Sequence, residues 1–193
     1  MIRLVTFSSF KILGNLIIIL FLLISNLSYA QPLYINEFMA SNGIFMEDPD
    51  DQGDYPDWIE LYNSSPIPVD LGGMYITDKL DNPTKWQIPS GVTIDGGAYL
   101  ILWADGQPLQ GPTHVDFKLS ASGEAIGLFD TDGVTLIDSV VFGEQVTDIS
   151  YGVYPDARDN LRLFAAPSPW AENDGAYDGE VEDTQFSHDR GFY

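Results

Sequence analysis

The sequence contains no cysteine among its 193 residues. Disulfide bonds are therefore excluded, and so is a cysteine nucleophile. Hydrophobic residues make up 45% of the chain, a share typical of globular proteins. A hydrophobic core must therefore stabilise the fold.

Basic residues are also scarce, with 8 Lys and Arg against 29 Asp and Glu and a formal net charge of −21. Removal of residues 1–30, which contain Arg3 and Lys11 but no acid, changes that charge to −23. Binding to nucleic acids and to anionic membrane surfaces depends on Lys and Arg. The composition therefore argues against both kinds of partner.

The longest unbroken apolar run covers only residues 16–24 and follows Arg3 and Lys11. Its nine residues fall far short of the roughly 20 that cross a bilayer as a helix. Ser28 and Ala30 then supply the small residues that a signal peptidase requires. The sequence predicts a signal peptide over residues 1–30, cleaved between Ala30 and Gln31. We therefore expect a protein that is secreted, periplasmic or on the cell surface, with no membrane contact after cleavage; an uncleaved membrane anchor is the alternative.

The chain after Leu33 shows no sustained 3.6-residue apolar periodicity, which argues against helices. Short apolar runs alternate with turn residues, and Asp132 and Gly133 form the clearest predicted hairpin turn. This spacing predicts an all-β fold, either an antiparallel sandwich or a barrel. The predicted strands cover residues 33–39, 57–63, 69–78, 85–89, 98–105, 115–119, 124–130, 135–143 and 149–154.

Two of these runs allow the strand faces to be assigned, because side chains alternate across a strand. Residues 98–105, "AYLILWAD", are apolar on both faces, which predicts a central strand covered on both sides. In "DWIELYN", residues 57–63, Ile59 and Leu61 are predicted to face the core. Trp58 and Tyr62 lie on the opposite face, where we expect either packing at the core edge or contact with a partner.

Residues with catalytic potential are few. The two histidines are His114 and His188; we interpret His114 as a surface or capping residue, with a general base as the alternative. The sequence contains no G-x-S-x-G, H-E-x-x-H or P-loop motif. It therefore predicts no catalytic residue, no cofactor-binding residue and no enzymatic activity for this chain. Asn63 begins an N-glycosylation sequon, which matters only in a host that glycosylates.

The segment "EDPDDQGDYP", residues 47–56, is strongly acidic and is predicted to be an exposed, solvated loop before a strand that starts near Asp57 or Trp58. It fails as an EF-hand that starts at Asp48, because position 12 is then Ile59 rather than a bidentate acid. We therefore predict no cofactor. The alternative is a looser Ca²⁺ site built from Asp48, Asp50, Asp51 and Asp54.

Seven motifs, running in order from Tyr34 to Asn173, resemble those of the lamin-tail domain of exported bacterial proteins. The resemblance implies an immunoglobulin-like antiparallel β-sandwich over residues 31–173. One departure is Trp170, where the family more often has glycine. The motifs are "YINEFMASN", "DYPDWIELYNSSPIPVDLGGMYITD", "NPTKWQIPSG", "YLILWADG", "FKLSASGEAIGLFDTDG", "DSVVFGEQVTDISYGVYPD" and "PSPWAEN".

The composition changes after Asn173. Residues 174–184 combine turn formers with acids and are predicted to be a linker. The closing "FSHDRGFY" resembles the first strand of a chitobiase-type C-terminal β-sandwich domain, so residues 185–193 are interpreted as the truncated start of a further domain. In such proteins a spore-coat-H-like kinase domain or a hydrolase domain can lie further on.

These patterns lead to two functional hypotheses. The first is a non-catalytic exported β-sandwich module for binding, adhesion or targeting, which forms the N-terminal part of a longer protein. Its partners would be an extracellular protein or glycan and further domains of the same chain, but not nucleic acid. The alternative is the non-catalytic front end of a secreted kinase or hydrolase. A fold alone does not decide between them.

Overall fold

A computed structural model describes residues 32–158 and 160–176 of the chain. The predicted signal peptide, its cleavage site between Ala30 and Gln31, the residues 177–193 and His188 lie outside this part. The described residues belong to one compact unit that begins at Pro32. They contain eleven strands and no helix; accordingly, none of them forms a helix long and apolar enough to span a membrane.

The strands are short and follow one another closely along the chain. Two-residue pieces alternate with strands of up to seven residues, as expected where turn residues are frequent. In chain order they are β1 (Leu33–Met39), β2 (Asp57–Asn63), β3 (Val69–Asp70), β4 (Tyr75–Thr77), β5 (Trp86–Gln87), β6 (Thr93–Ile94), β7 (Tyr99–Ala104), β8 (Glu124–Phe129), β9 (Leu136–Phe142), β10 (Ser150–Val153) and β11 (Leu161–Phe164).

These strands form antiparallel sheets that pack around one main core. The larger sheet has the order β11-β10-β1-β2-β7, a second has the order β5-β4-β8-β9, and β3 pairs with β6. Ile59 and Leu102 from the larger sheet share a buried cluster with Ile76 and Leu128 from the second sheet. The described residues thus confirm the predicted all-β antiparallel sandwich.

A second buried cluster covers the outer face of the larger sheet. It consists of Met39, Met46, Trp58, Ile101 and Trp103. Strand β7 is therefore covered on both faces, with Ile101 and Trp103 on one side and Leu102 on the other, as predicted. Its predicted central position is wrong, because β7 is the last strand of the larger sheet, next to β2. Trp58 is fully buried in the second cluster, so a partner-facing position for this side chain is wrong.

The structure corrects three strand assignments. The run 69–78 is split into β3 and β4 by a turn in which the Met74 N–H donates to the Leu71 carbonyl at 3.0 Å. Residues 115–119 form no strand and contribute only an isolated bridge between Asp105 and Lys118. Strands β6 and β11 were not predicted, because two and four residues are too few to show a period of two.

Two glycines lie where the backbone turns tightly or approaches another backbone closely. Gly133 has φ of 67° and its N–H donates to the Asp130 carbonyl at 2.9 Å, which closes the predicted hairpin turn between β8 and β9. At Gly96 a Cβ would lie 2.3 Å from the carbonyl carbon of Pro66. Only glycine fits this close approach of two backbones.

Candidate functional site

The backbone around His114 is held against strand β7, on the side away from β2. The Trp103 N–H donates to the Thr113 carbonyl at 2.8 Å, and the Val115 N–H donates to the Trp103 carbonyl at 2.9 Å. These two bonds form an isolated bridge between Trp103 and His114, and the His114 side chain is completely buried. The interpretation of His114 as a surface residue is therefore wrong, because the bridge to Trp103 packs the His114 loop against β7.

Carboxylates surround the His114 ring. Nδ1 lies 2.6 Å from Oδ2 of the buried Asp105, and Nε2 lies 3.3 Å from Oδ2 of Asp50. Asp105 is fixed in turn, because its Oδ1 accepts the Gln107 N–H at 2.7 Å. Desolvation lowers the His114 pKa, but the hydrogen bonds to Asp105 and Asp50 and the charges of Asp105 and Asp48 outweigh it and raise the pKa above its ordinary value.

The acidic loop reaches this ring through Asp48. The side chain of Asp48 is fully buried, and its Oδ1 accepts the Asp50 N–H at 2.8 Å. Its Oδ2 is buried without a hydrogen-bond partner and lies 3.8 Å from His114 Nδ1. A buried, unpartnered carboxylate oxygen is unfavourable and calls for an explanation.

The loop is otherwise close to the prediction. Strand β2 begins at Asp57, as expected, and most of residues 47–56 are exposed or half-buried. Asp48 and Pro56 are the exceptions, because both are buried. The Asp48 N–H donates to the Asp54 carbonyl at 2.9 Å, which closes the loop on itself. A uniformly solvated loop is therefore wrong for Asp48, and the reason is its contact with His114.

The four acids proposed for Ca²⁺ do not converge on one point in the described residues. One ligand atom each from Asp48, Asp50 and His114 lie within 4.8 Å of one another, and Asp51 and Asp54 are not in this group. Asp51 instead accepts a hydrogen bond from Gln110 Nε2 at 3.4 Å, and Asp54 Oδ1 accepts the Tyr55 N–H at 3.0 Å. The Ca²⁺ site remains a prediction.

Two glutamates that the sequence did not single out lie buried side by side. Glu37 on β1 and Glu60 on β2 are register partners, and both are completely buried. Burial raises the pKa of Glu37 and raises that of Glu60 to about 8, although hydrogen bonds oppose both shifts. Glu60 shares one face of β2 with Trp58 and Tyr62. These two aromatic residues were the sequence signal that this face, and Glu60 with it, could be covered.

The C-terminal segment 168–173 covers these glutamates. Glu37 accepts hydrogen bonds from the Ser150 hydroxyl and from the Ser168 N–H and hydroxyl. Glu60 accepts hydrogen bonds from the Trp170 backbone N–H at 2.5 Å and from the Asn36 side-chain Nδ2 at 3.1 Å. Both glutamates are fully buried and hydrogen-bonded to this segment, so they anchor it to the larger sheet.

Asn173 completes the anchoring of this segment. Its side chain is buried, and its Nδ2 donates to the carbonyls of Asn36 at 3.0 Å and Val153 at 2.9 Å. Its backbone N–H donates to Asp156 at 3.0 Å. These bonds join the segment to the strands β1 and β10.

Asn63, the first residue of the glycosylation sequon, is also fully buried. Its Nδ2 donates to the carbonyls of Ile67, Ile94 and Asp95 at 2.8 to 3.1 Å. A glycan on this nitrogen would displace these three bonds. The folded domain therefore does not present Asn63 as an acceptor.

A cleft of about 320 Å³ opens between strand β9 and the edge of the larger sheet at β11, with β10 and β1 behind it. Its walls combine an aromatic ring, charged and amide groups, and aliphatic side chains. The Asp138 carboxylate accepts the Ile35 N–H at 2.7 Å across this gap. The cleft is lined by Tyr34, Ile35, Asp138, Ser139, Val140, Val141, Val153, Arg158, Asn160 and Leu161.

The two antiparallel sheets and the core that they share are those of an immunoglobulin-like β-sandwich module. A family model described as Lamin Tail Domain matches residues 28–144, and the chain belongs to this family. The match ends before β10 and β11, which nevertheless extend the larger sheet next to β1. A comparison with curated proteins finds no match.

Proposed function

We propose that this chain is a non-catalytic, exported β-sandwich module that binds an extracellular glycan or protein. The observation that carries this proposal is the cleft between β9 and the sheet edge. Its volume of about 320 Å³ falls within the range of small-ligand sites. The apolar run of residues 16–24 and the small residues before Gln31 support export.

The chemistry of the cleft suits a polar ligand with an apolar face. Tyr34 offers a ring surface, Arg158 offers charged donors, and Asn160 offers a donor and an acceptor. Val141, which is 70% exposed, provides an aliphatic wall. Sugar rings and short peptides combine polar edges with apolar faces, so this combination fits them better than it fits a fully apolar ligand.

The test is binding of the purified chain to an array of polysaccharides and extracellular matrix proteins, with Arg158→Gln as the variant. Lys79→Gln is the matched control, because Lys79 is an exposed base that does not line the cleft. We expect Arg158→Gln to weaken the binding of a captured ligand at least tenfold while Lys79→Gln leaves it unchanged. Absence of binding to every polysaccharide and matrix protein contradicts the proposal.

A second candidate is that the chain is the non-catalytic front end of a secreted enzyme, such as a spore-coat-H-like kinase or a hydrolase. The closing "FSHDRGFY" supports it through its resemblance to the start of a chitobiase-type domain. In this case the other domains of the same polypeptide are partners of the module. The coding sequence after Tyr193 decides the matter, and an immediate stop codon contradicts it.

A further inference from the structure

The starting point is the buried Oδ2 of Asp48, which has no hydrogen-bond partner. The Asp48 side chain is fully buried, and its other oxygen already accepts the Asp50 N–H. His114 Nδ1 lies 3.8 Å away, too far for a hydrogen bond. This acceptor is removed from water and lacks a hydrogen-bond donor.

The hydrogen bonding of His114 leaves one ring nitrogen available. Asp105 uses Oδ1 to accept the Gln107 N–H and Oδ2 to contact His114 Nδ1. An ionised carboxylate only accepts hydrogen bonds, so Nδ1 carries the proton and donates it to Asp105. In the neutral ring Nε2 then has a free lone pair, and it faces Asp50.

We propose that Asp48, Asp50 and His114 form a binding site for a divalent transition-metal ion such as Zn²⁺. One ligand atom from each residue lies within 4.8 Å of the other two. The distance of 3.3 Å between His114 Nε2 and Asp50 Oδ2 fits two ligands of one ion, because bonds of 2.0–2.1 Å at tetrahedral angles place ligand atoms about 3.4 Å apart.

Asp105 has the geometry of a positioning residue for this ion. Histidines that bind metals usually donate their other N–H to a carboxylate, which fixes the ring and strengthens it as a ligand. Asp105 makes this contact at 2.6 Å, and its own orientation is fixed by Gln107. The bridge to Trp103 also holds the His114 backbone in place.

The donor set selects the class of metal. One imidazole nitrogen with two carboxylates suits zinc and its first-row neighbours, whereas Ca²⁺ takes six to eight oxygen ligands. The three side chains leave a position for water or for a ligand atom. A polar depression lined by Glu47, Asp48, Pro49 and Gln52 opens beside them.

A site without metal would hold His114 as an imidazolium that donates to Asp105 and Asp50. That arrangement satisfies both ring nitrogens but leaves Asp48 Oδ2 buried without a hydrogen bond. A metal ion among the three ligand atoms would join His114 Nε2 to Asp50 and place a positive charge beside the buried Asp48 carboxylate. For this reason the geometry favours the metal over the imidazolium.

The test uses the purified chain after treatment with a chelator. We expect Zn²⁺ and Co²⁺ to raise the melting temperature with the logarithm of their concentration, as required for a ligand of the folded state, and Mg²⁺ to have no effect. Co²⁺ bound by this site should show the visible d–d absorption of a nitrogen-ligated ion. If neither ion raises the melting temperature and no Co²⁺ spectrum develops, the proposal is wrong.

Variants distinguish metal binding at this site from the general attraction of cations to acidic residues. Asp50→Asn changes a side chain that is 59% exposed, so the variant should fold, and we expect at least a tenfold weaker affinity for Zn²⁺. Asp105→Asn should weaken it by about 10- to 100-fold through the loss of orientation. Asp51→Asn removes the same charge from the same loop and should leave the affinity unchanged. Equal losses in Asp50→Asn and Asp51→Asn, or no loss in Asp50→Asn, contradict the proposal.

Discussion

Trp170 adopts a left-handed backbone conformation with φ of 64°, and its ring is 56% exposed. A residue with a Cβ is strained in this region, whereas glycine is not. Its N–H is nevertheless needed to reach Glu60, which explains why the backbone keeps this conformation. This is the position where the sequence resemblance led us to expect glycine.

We expect Trp170→Gly to be more stable than Trp170→Ala by about 1 kcal/mol, because both variants remove the indole but only alanine keeps the strain. Denaturant-induced unfolding measures the difference. Because both variants lack the indole, the effect of its lost contacts cancels when the two are compared. An alanine variant at least as stable as the glycine variant would show that the left-handed conformation carries no strain.

Glu60 should make the stability depend on pH. Burial raises its pKa to about 8, from 4.5 in the unfolded chain. The folded state therefore binds the proton more tightly than the unfolded state, and this contribution to stability is complete below about pH 4.5 and is lost as the pH rises towards 8. Glu37 and Asp57, whose pKa values burial also raises, add slopes of the same sign.

The free energy of unfolding of the wild type should fall between pH 5 and 8. We expect this fall to be smaller by about 1–3 kcal/mol in Glu60→Gln, since one pKa unit corresponds to about 1.4 kcal/mol. Chemical denaturation at several pH values measures this slope. Glu144→Gln, at an exposed position, is the control and should keep the wild-type slope. A Glu60→Gln slope equal to that of the wild type would mean that Glu60 ionises normally.

Among the elements, β7 holds the sandwich together, because it contributes to both buried clusters. Leu102 and Trp103 are 0% and 4% exposed on opposite faces. We expect Leu102→Ala to lower the free energy of unfolding by about 2–5 kcal/mol and Trp103→Ala by about 3–5 kcal/mol. Thermal and denaturant unfolding provide the measurement.

Leu109→Ala is the matched control for this pair, because Leu109 is fully exposed. Its effect should stay within about 0.5 kcal/mol. Losses below about 1 kcal/mol at both Leu102 and Trp103 would contradict the burial of β7 on both faces.

The segment 168–173 is a structural element without a regular secondary structure. Asn173 donates from the side chain to two strand carbonyls, so Asn173→Ala leaves both buried acceptors without that donor. We expect a loss of about 1–3 kcal/mol in the free energy of unfolding. The exposed neighbour Asp174 provides the control variant Asp174→Ala, and equal effects at both positions would show that the anchoring contributes nothing.

For the whole molecule, the formal net charge of −21 argues against nucleic acid as a partner. We expect no binding to duplex DNA in a shift assay at physiological ionic strength, because too few Lys and Arg are present to displace counterions. A salt-dependent shift would contradict this expectation. It would also require a basic surface that the composition does not provide.

The predictability of the fold differs from that of the site. The observed bounds of β1 and β2 are the same as the predicted bounds, because alternation and turn residues are local signals. The burial of Glu60 was missed, since it depends on cover from a segment 110 residues away. The same holds for His114 and Asp50, which lie 64 residues apart along the chain.

The sequence by itself determined the all-β class, the family and the acidic character, because strand periodicity, turn residues and charge are properties of neighbouring residues. The tertiary structure decided which polar groups are buried and what they contact. It placed Asp48 and Asp105 around His114, and it closed the C-terminal segment over Glu37. These contacts depend on register and packing between distant strands, and no local pattern encodes them.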